Sequence, residues 1–212
     1  MTAAGRTLRI GLSGPIGCGK STVAGWLSEI PGVVAVDADA VARDILAPGS
    51  PAVDEVAERF GAELVDPAGV LDRTALGRIV FADPAALRDL EAIVHPAVRP
   101  RIVAAIDAAE AAAAPAVVIE AIKLVEGGLA ALCDEVWLVT CDPDDQLARI
   151  RGRGATERDA RQRIAAQGDL AARLAAEATR VIDTSGDPDQ VRDVVLATFR
   201  AASGRPASSQ PA

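Results

Sequence analysis

The sequence predicts an α/β fold, a doubly wound five-stranded parallel sheet with helices on both faces and a helical insertion after the second strand. Three observations predict it. Short apolar runs alternate with segments of helical spacing along most of the chain, the pattern of strands buried on both faces. The first such strand and helix are joined by a glycine-rich loop, Gly14 to Ser21. From Ile45 to about Ala114 the strand runs stop, and short helical segments with clear punctuation take their place.

The first strand is Leu8-Arg9-Ile10-Gly11-Leu12, and the helix from Ser21 through Leu27 ends at Pro31-Gly32. Between them Gly14-Pro15-Ile16-Gly17-Cys18-Gly19-Lys20-Ser21 fits G-x-x-x-x-G-K-[ST] in full. The glycines let the backbone aim its N–H groups inward as an anion nest, and the helix N-terminus adds partial positive charge. Gly14 through Thr22 is therefore expected to bind the polyphosphate of a nucleotide. Lys20 is expected to reach the β- and γ-phosphates and the Ser21 hydroxyl to ligate Mg²⁺. A chance glycine-rich turn would not bring strand, loop, Lys-Ser pair and helix into register.

With 212 residues and 50% hydrophobic composition, the chain can bury one substantial core. A net charge of −8 argues against nucleic acid or an anionic membrane as partner. Cys18, Cys133 and Cys141 are an odd number without C-x-x-C spacing, so neither a disulfide framework nor a zinc site is expected. A reducing cytoplasm fits that usage, and Met1 to Arg6 shows no signal-peptide pattern. Cys18, beside Lys20 and a helix N-terminus, reads either as a reactive thiol that MgATP protects or as the filler of a small-residue slot in the loop. The chain contains no Asn, which removes the guanine-reading motif of GTPase switches, and its only lysines are Lys20 and Lys123.

The second strand, Val33 to Val36, runs into Asp37-Ala38-Asp39. Asp39 reads either as a carboxylate that orients or deprotonates an acceptor hydroxyl, or as the cap of the helix beginning at Ala40. In the insertion, Ser50-Pro51 and Asp83-Pro84 are helix starts, and Phe60-Gly61 and Pro67-Ala68-Gly69 are stops. His95 precedes Pro96, where a helix break is favoured over a substrate contact.

Ala116 to Ile119, ending in Glu120, is the third strand, Glu135 to Thr140 the fourth and Arg180 to Asp183 the fifth. The arginine-rich stretch after the fourth strand, with Gly152 and Gly154 in it, reads as a lid presenting Arg149 and Arg153 to a transferring phosphoryl group. The alternative there is a solvated helix face. Lys123 follows the third strand between Glu120 and Glu126; it is expected either to face the acceptor or, as a surface residue, to pair with Glu120.

Taken together, the loop, Asp37-Ala38-Asp39 with Arg43, Pro48-Gly49, Leu76 to Phe81, His95-Pro96, Gln167 and Val181-Ile182-Asp183 resemble the dephospho-CoA kinase family from about Leu8 to Ala202. The resemblance implies a fold of P-loop kinase type that uses ATP and Mg²⁺ to phosphorylate the ribose 3′-hydroxyl of dephospho-CoA. It implies a catalytic role for Asp39 and substrate-facing roles for Arg43, Arg78 and His95. It also implies lid roles for Arg149 and Arg153 and a place for Asp183 and Thr184 near the adenine. The implied organisation is a core of 1–44 and 115–202 with a lid at about 143–167, an insertion at 45–114 and a disordered tail at 203–212. A cytoplasmic monomer or weak oligomer is expected. Two departures stand out: Ile122-Lys123-Leu124-Val125-Glu126 keeps a glutamate but lacks the family's usual proline, and Thr184 stands where Asn is common. Two other readings remain. One is a kinase for another small acceptor, a nucleoside monophosphate or a shikimate-like alcohol, and the other is an ATP-binding regulatory protein without catalysis.

Overall fold

The computed structural model of the chain describes residues 6–204. Five strands, β1 (Leu8–Ser13), β2 (Val34–Asp37), β3 (Ala116–Glu120), β4 (Glu135–Thr140) and β5 (Arg180–Asp183), form one sheet in the order β2-β3-β1-β4-β5. The pairings are parallel, with Leu8 opposite Ala116, Ser13 opposite Leu138 and Thr140 opposite Asp183. Parallel strands need crossovers, and here helices supply them on both faces. From β1 the chain goes outward past β3 to β2, whereas from β3 it crosses to β4. The switch in direction thus lies between β1 and β3, where open sheets of this kind bind ligands at the strands' carboxyl ends.

The chain divides into two compact units. The first comprises the residues up to Val36 and from Ala105 onward. Its main core joins Ile10 and Leu12 of β1, Val118 of β3 and Trp137 and Val139 of β4. Helix α1 (Lys20–Ser28) adds Val23 and Leu27, and α9 (Pro188–Ala202) adds Val195 and Phe199. Leu138, pointing the other way along β4, packs with Leu170 and Leu174 of α8 (Leu170–Ala175). Period-two alternation along β4 therefore serves both faces. Between β4 and α8 lie α6 (Pro143–Gly152) and α7 (Glu157–Gln167). At the edge, Arg180 of β5 clamps Glu135 of β4 with contacts of 2.7 and 2.9 Å, which hold that carboxyl below its ordinary range.

The second unit, Asp37–Ala104, is helical. It holds α2 (Ala38–Ile45), α3 (Pro51–Phe60), α4 (Arg73–Ala82) and most of α5 (Pro84–Ala111). Val56, Leu64, Leu71, Leu76, Val80 and Ala86 are its core. This unit and the expected insertion at 45–114 differ at both ends: the division falls at the end of β2, and α5 runs through the other boundary without a linker. The tail expected at 203–212 falls outside the described residues from 205 on, and Ser203 forms the C-cap of α9.

The break expected at His95-Pro96 does not occur: α5 is one helix of 28 residues with Pro96 and Pro100 inside it. Each interior proline costs about 3 kcal/mol. Val94, Val98, Ile102 and Ile106 recur one turn apart and are all at least 92% buried. Burying such side chains contributes about 1.5–3 kcal/mol each, enough to offset the two prolines. Long-range burial, invisible in the local dipeptide, decides the conformation.

Candidate active site

Between β1 and α1, Gly14 to Gly19 lies flush against β4 and α6. A Cβ on Gly14 (φ 153°) would stand 2.1 Å from the Val139 carbonyl oxygen, and one on Gly17 (φ 81°) 2.8 Å from Ile150 Cγ1. No side chain fits at either place. Gly19, left-handed at φ 85°, is the N-cap of α1, and no side chain caps the helix's first amides. An anion nest is the result. Lys20 is only 7% exposed, and its Nζ donates to the carbonyls of Gly14 (2.9 Å) and Pro15 (3.2 Å). The ammonium therefore sits inside the loop it serves. Ser21 Oγ donates to Glu120 Oε1 at 2.7 Å, across the switch between β1 and β3. The sequence offers Glu120 as the end of a strand and as an ion-pair partner for Lys123, not as a partner of Ser21; the parallel register that sets Leu12 beside it is the missing information.

Three side chains brace the loop. Gln146 Nε2 of α6 donates to the Ile16 carbonyl at 2.7 Å, while Ile16 N–H donates to Gln167 Oε1 of α7 at 2.8 Å. Thr184, only 6% exposed, has its hydroxyl 2.8 Å from the Cys18 carbonyl and 3.0 Å from that of Thr140. It receives Arg149 Nη1 at 2.9 Å, and Arg149 Nη2 donates to the Thr184 carbonyl at 2.6 Å. The threonine that stands at this position thus ties loop, sheet and arginine together. Thr184→Val keeps the shape and removes the hydroxyl, so it is expected to cost roughly 1–3 kcal/mol and to weaken ATP binding. Thermal denaturation and an ATP titration check this; no change in either would show the hydroxyl to be idle.

Beside the loop opens a cleft of about 390 Å³, lined by Gly19, Thr22, Trp26, Arg149, Gly152, Arg153, Thr184, Pro188 and Val191. The lining combines residues of the phosphate nest and its helix with apolar side chains, which suits a nucleoside bearing phosphates. The two expected lid arginines meet here, Arg149 within α6 and Arg153 as its C-cap. Trp26, Pro188 and Val191 escaped the sequence reading because an apolar side chain on a helix looks the same whether it faces core or cleft. Of the pair expected near the adenine, Thr184 lines the cleft. Asp183 instead accepts from Ser185 N–H at 2.9 Å, and that bond, with the Ser185 hydroxyl and Arg149, holds its carboxyl below its ordinary range.

Cys18 corrects two expectations: it is bonded to Cys141, and it is 2% exposed. The exposed reactive thiol is therefore absent in this form. The pairing escaped notice because the two lie 123 residues apart in sequence and only the adjacency of β1 and β4 brings them together.

Of the remaining candidates, Asp39 is half-buried in the first turn of α2. The cap of α2 is Asp37, whose Oδ1 accepts from Ala40 N–H at 2.9 Å, so the capping alternative for Asp39 falls away. Arg43 lies 3.4 Å from Asp37 Oδ2. Arg78 is exposed on α4, and His95 is half-buried within α5. Lys123 and Glu126 are exposed in the turns that follow β3, and Gly127 N–H donates to the Lys123 carbonyl at 2.8 Å.

Comparison with known proteins matches the chain to a family. The dephospho-CoA kinase family description fits residues 8–190. A dephospho-CoA kinase of Symbiobacterium thermophilum is 46% identical over 196 residues, 92% of this chain and 81% of that protein. One from Streptomyces avermitilis is 50% identical over 170 residues, 79% of this chain and 81% of that protein. A crystal structure of a Thermus thermophilus protein, 31% identical, superposes with a TM-score of 0.76 over 92% of this chain and 98% of that one. With the family description spanning the loop, both units and the start of α9, the chain belongs to the dephospho-CoA kinase family.

Proposed function

We propose that the chain transfers the γ-phosphoryl group of ATP to the ribose 3′-hydroxyl of dephospho-CoA, yielding CoA in the last step of its biosynthesis. The observation that carries this is the 46% identity to a dephospho-CoA kinase across 92% of the chain. The loop supports it with a cradle for the phosphates. Loop amides and Lys20 hold the β- and γ-phosphates, and the cleft between Trp26 and Pro188 takes the nucleoside. Ser21 and Glu120 are hard oxygen donors 2.7 Å apart, a set that fits Mg²⁺, which keeps several waters and needs few protein ligands. When bound, Mg²⁺ neutralises charge on the phosphate oxygens.

Asp39 accepts the proton of the attacking hydroxyl, and Arg149 and Arg153 stabilise charge on the phosphoryl group as it moves. Arg43, Arg78, His95 and Glu126 bind the acceptor. Lys123 gives it a compact ammonium that a planar guanidinium cannot replace. Lys123→Arg is accordingly expected to lower kcat/KM for the acceptor at least about tenfold, or ~1.4 kcal/mol, with Tm unchanged. An unaltered acceptor kcat/KM in both Lys123→Arg and Lys123→Ala would remove Lys123 from the site. The acidic chain acts in the cytoplasm as a monomer or weak oligomer, without nucleic-acid or membrane partners. Coupled ADP release measured with dephospho-CoA, a nucleoside monophosphate and shikimate in turn tests the assignment. Turnover with dephospho-CoA alone is expected, and equal turnover with another acceptor would overturn it.

A further inference from the structure

We propose that Cys18 and Cys141 form a reversible redox site whose disulfide weakens ATP binding by the phosphate loop, an effect that rests on the nucleotide-binding reading above. The structure bonds the two residues with their Cα atoms 5.1 Å apart, within the range disulfides require. Their places in the fold differ usefully. Cys18 is buried in the loop two residues before Lys20, whereas Cys141 follows β4 directly and is half-buried, so reagents enter through Cys141. Cys133, the remaining cysteine, has its thiol pushed up to about 12 by burial and lies 3.5 Å from the Leu129 carbonyl. It is a poor nucleophile and stays outside the exchange.

With the bond closed, the loop is tied to β4 at Cys18, and the Cys18 carbonyl is held by Thr184 at 2.8 Å. In that same loop Lys20 Nζ donates to the carbonyls of Gly14 and Pro15. A polyphosphate must draw the ammonium off those carbonyls and onto its own oxygens. A loop tethered two residues away yields less readily, so closure opposes nucleotide binding. Linkage then requires MgATP to favour the dithiol by the same factor. In a reducing compartment such a bond is conditional and serves sensing better than structure.

Closure balances with a small-molecule disulfide as oxidant. The Cys141 thiolate attacks one of its sulfurs and expels the first small thiol, and the Cys18 thiolate then displaces the second from the mixed disulfide. Two electrons pass from the cysteine pair to the oxidant, and the two cysteine protons leave on the small thiols released.

The test takes the full chain and Cys141→Ser through glutathione buffers of graded oxidised-to-reduced ratio, with and without MgATP. Peptide mapping after alkylation reads the bond, and equilibrium titration reads the Kd for ATP. Expected are a Cys18–Cys141 crosslink, a Kd at least about threefold higher when closed and restored by dithiothreitol, and a midpoint that MgATP moves toward more oxidant by the same factor. Reduced Cys141→Ser should match the reduced parent and ignore the buffer. Absence of the crosslink at every ratio, equal Kd in both states, or a midpoint indifferent to MgATP would overturn the proposal. Since binding is read directly, failure of the reduced chain to phosphorylate dephospho-CoA would sink the functional reading alone.

Discussion

Lys20→Ala is expected to lower kcat for dephospho-CoA phosphorylation by about 10³-fold, or ~4 kcal/mol of transition-state stabilisation, with little change in Tm. The magnitude follows from where the ammonium sits. At 7% exposure and within 3.2 Å of two loop carbonyls, it is held inside the loop and largely screened from water. A charge in such a place acts on a phosphoryl group far more strongly than one in solvent. Lys20→Arg should fare little better, because a planar guanidinium fork does not replace a compact ammonium on a flexible stem. Steady-state kinetics beside thermal denaturation check both variants. A kcat within tenfold of the parent would mean that Lys20 does not touch the transferring group.

Asp39→Asn is expected to reduce kcat by about 10²- to 10⁴-fold, the range for a positioned proton acceptor, with the KM for ATP nearly unchanged. Tm should stay within about 3 °C of the parent, because Asp37 and not Asp39 caps α2. Asp37→Ala serves as the contrast: it loses the cap, costs about 1 kcal/mol and lowers Tm. Activity and melting measured on both separate the roles. Near-parental turnover in Asp39→Asn would take Asp39 out of the chemistry, and a large Tm loss in it would return the capping role to Asp39.

How much of this was legible in the sequence varied with the range of the interactions. The strands were readable within a residue of their ends; the central ones are buried on both faces and must be apolar runs such as Val117-Val118-Ile119, while the exposed edge strands β2 and β5 are short apolar runs ending in Asp. The phosphate loop was readable because its chemistry is compressed into consecutive residues. Glu120 and Gln146 were not, since each gains its meaning from a partner about 100 residues or more away, Ser21 for one and Ile16 for the other. The disulfide failed for the same reason: spacing rules for cysteine describe local loops, and this pair is made by strand adjacency. His95-Pro96 failed in the opposite direction, where a true local preference against helix lost to the buried stripe from Val94 to Ile106. For Asp39 the sequence left cap and catalyst open, and a single hydrogen bond, Ala40 to Asp37, removed the cap.

The most direct test of the central claim is the identity of the product formed from dephospho-CoA and MgATP by the reduced chain, read by mass spectrometry and phosphorus NMR. The expected result is one new phosphomonoester on the ribose 3′-oxygen, formed in step with ADP and lost in Lys20→Ala and Asp39→Asn. ADP released without a phosphorylated acceptor, or phosphate on any other oxygen of dephospho-CoA, would contradict it.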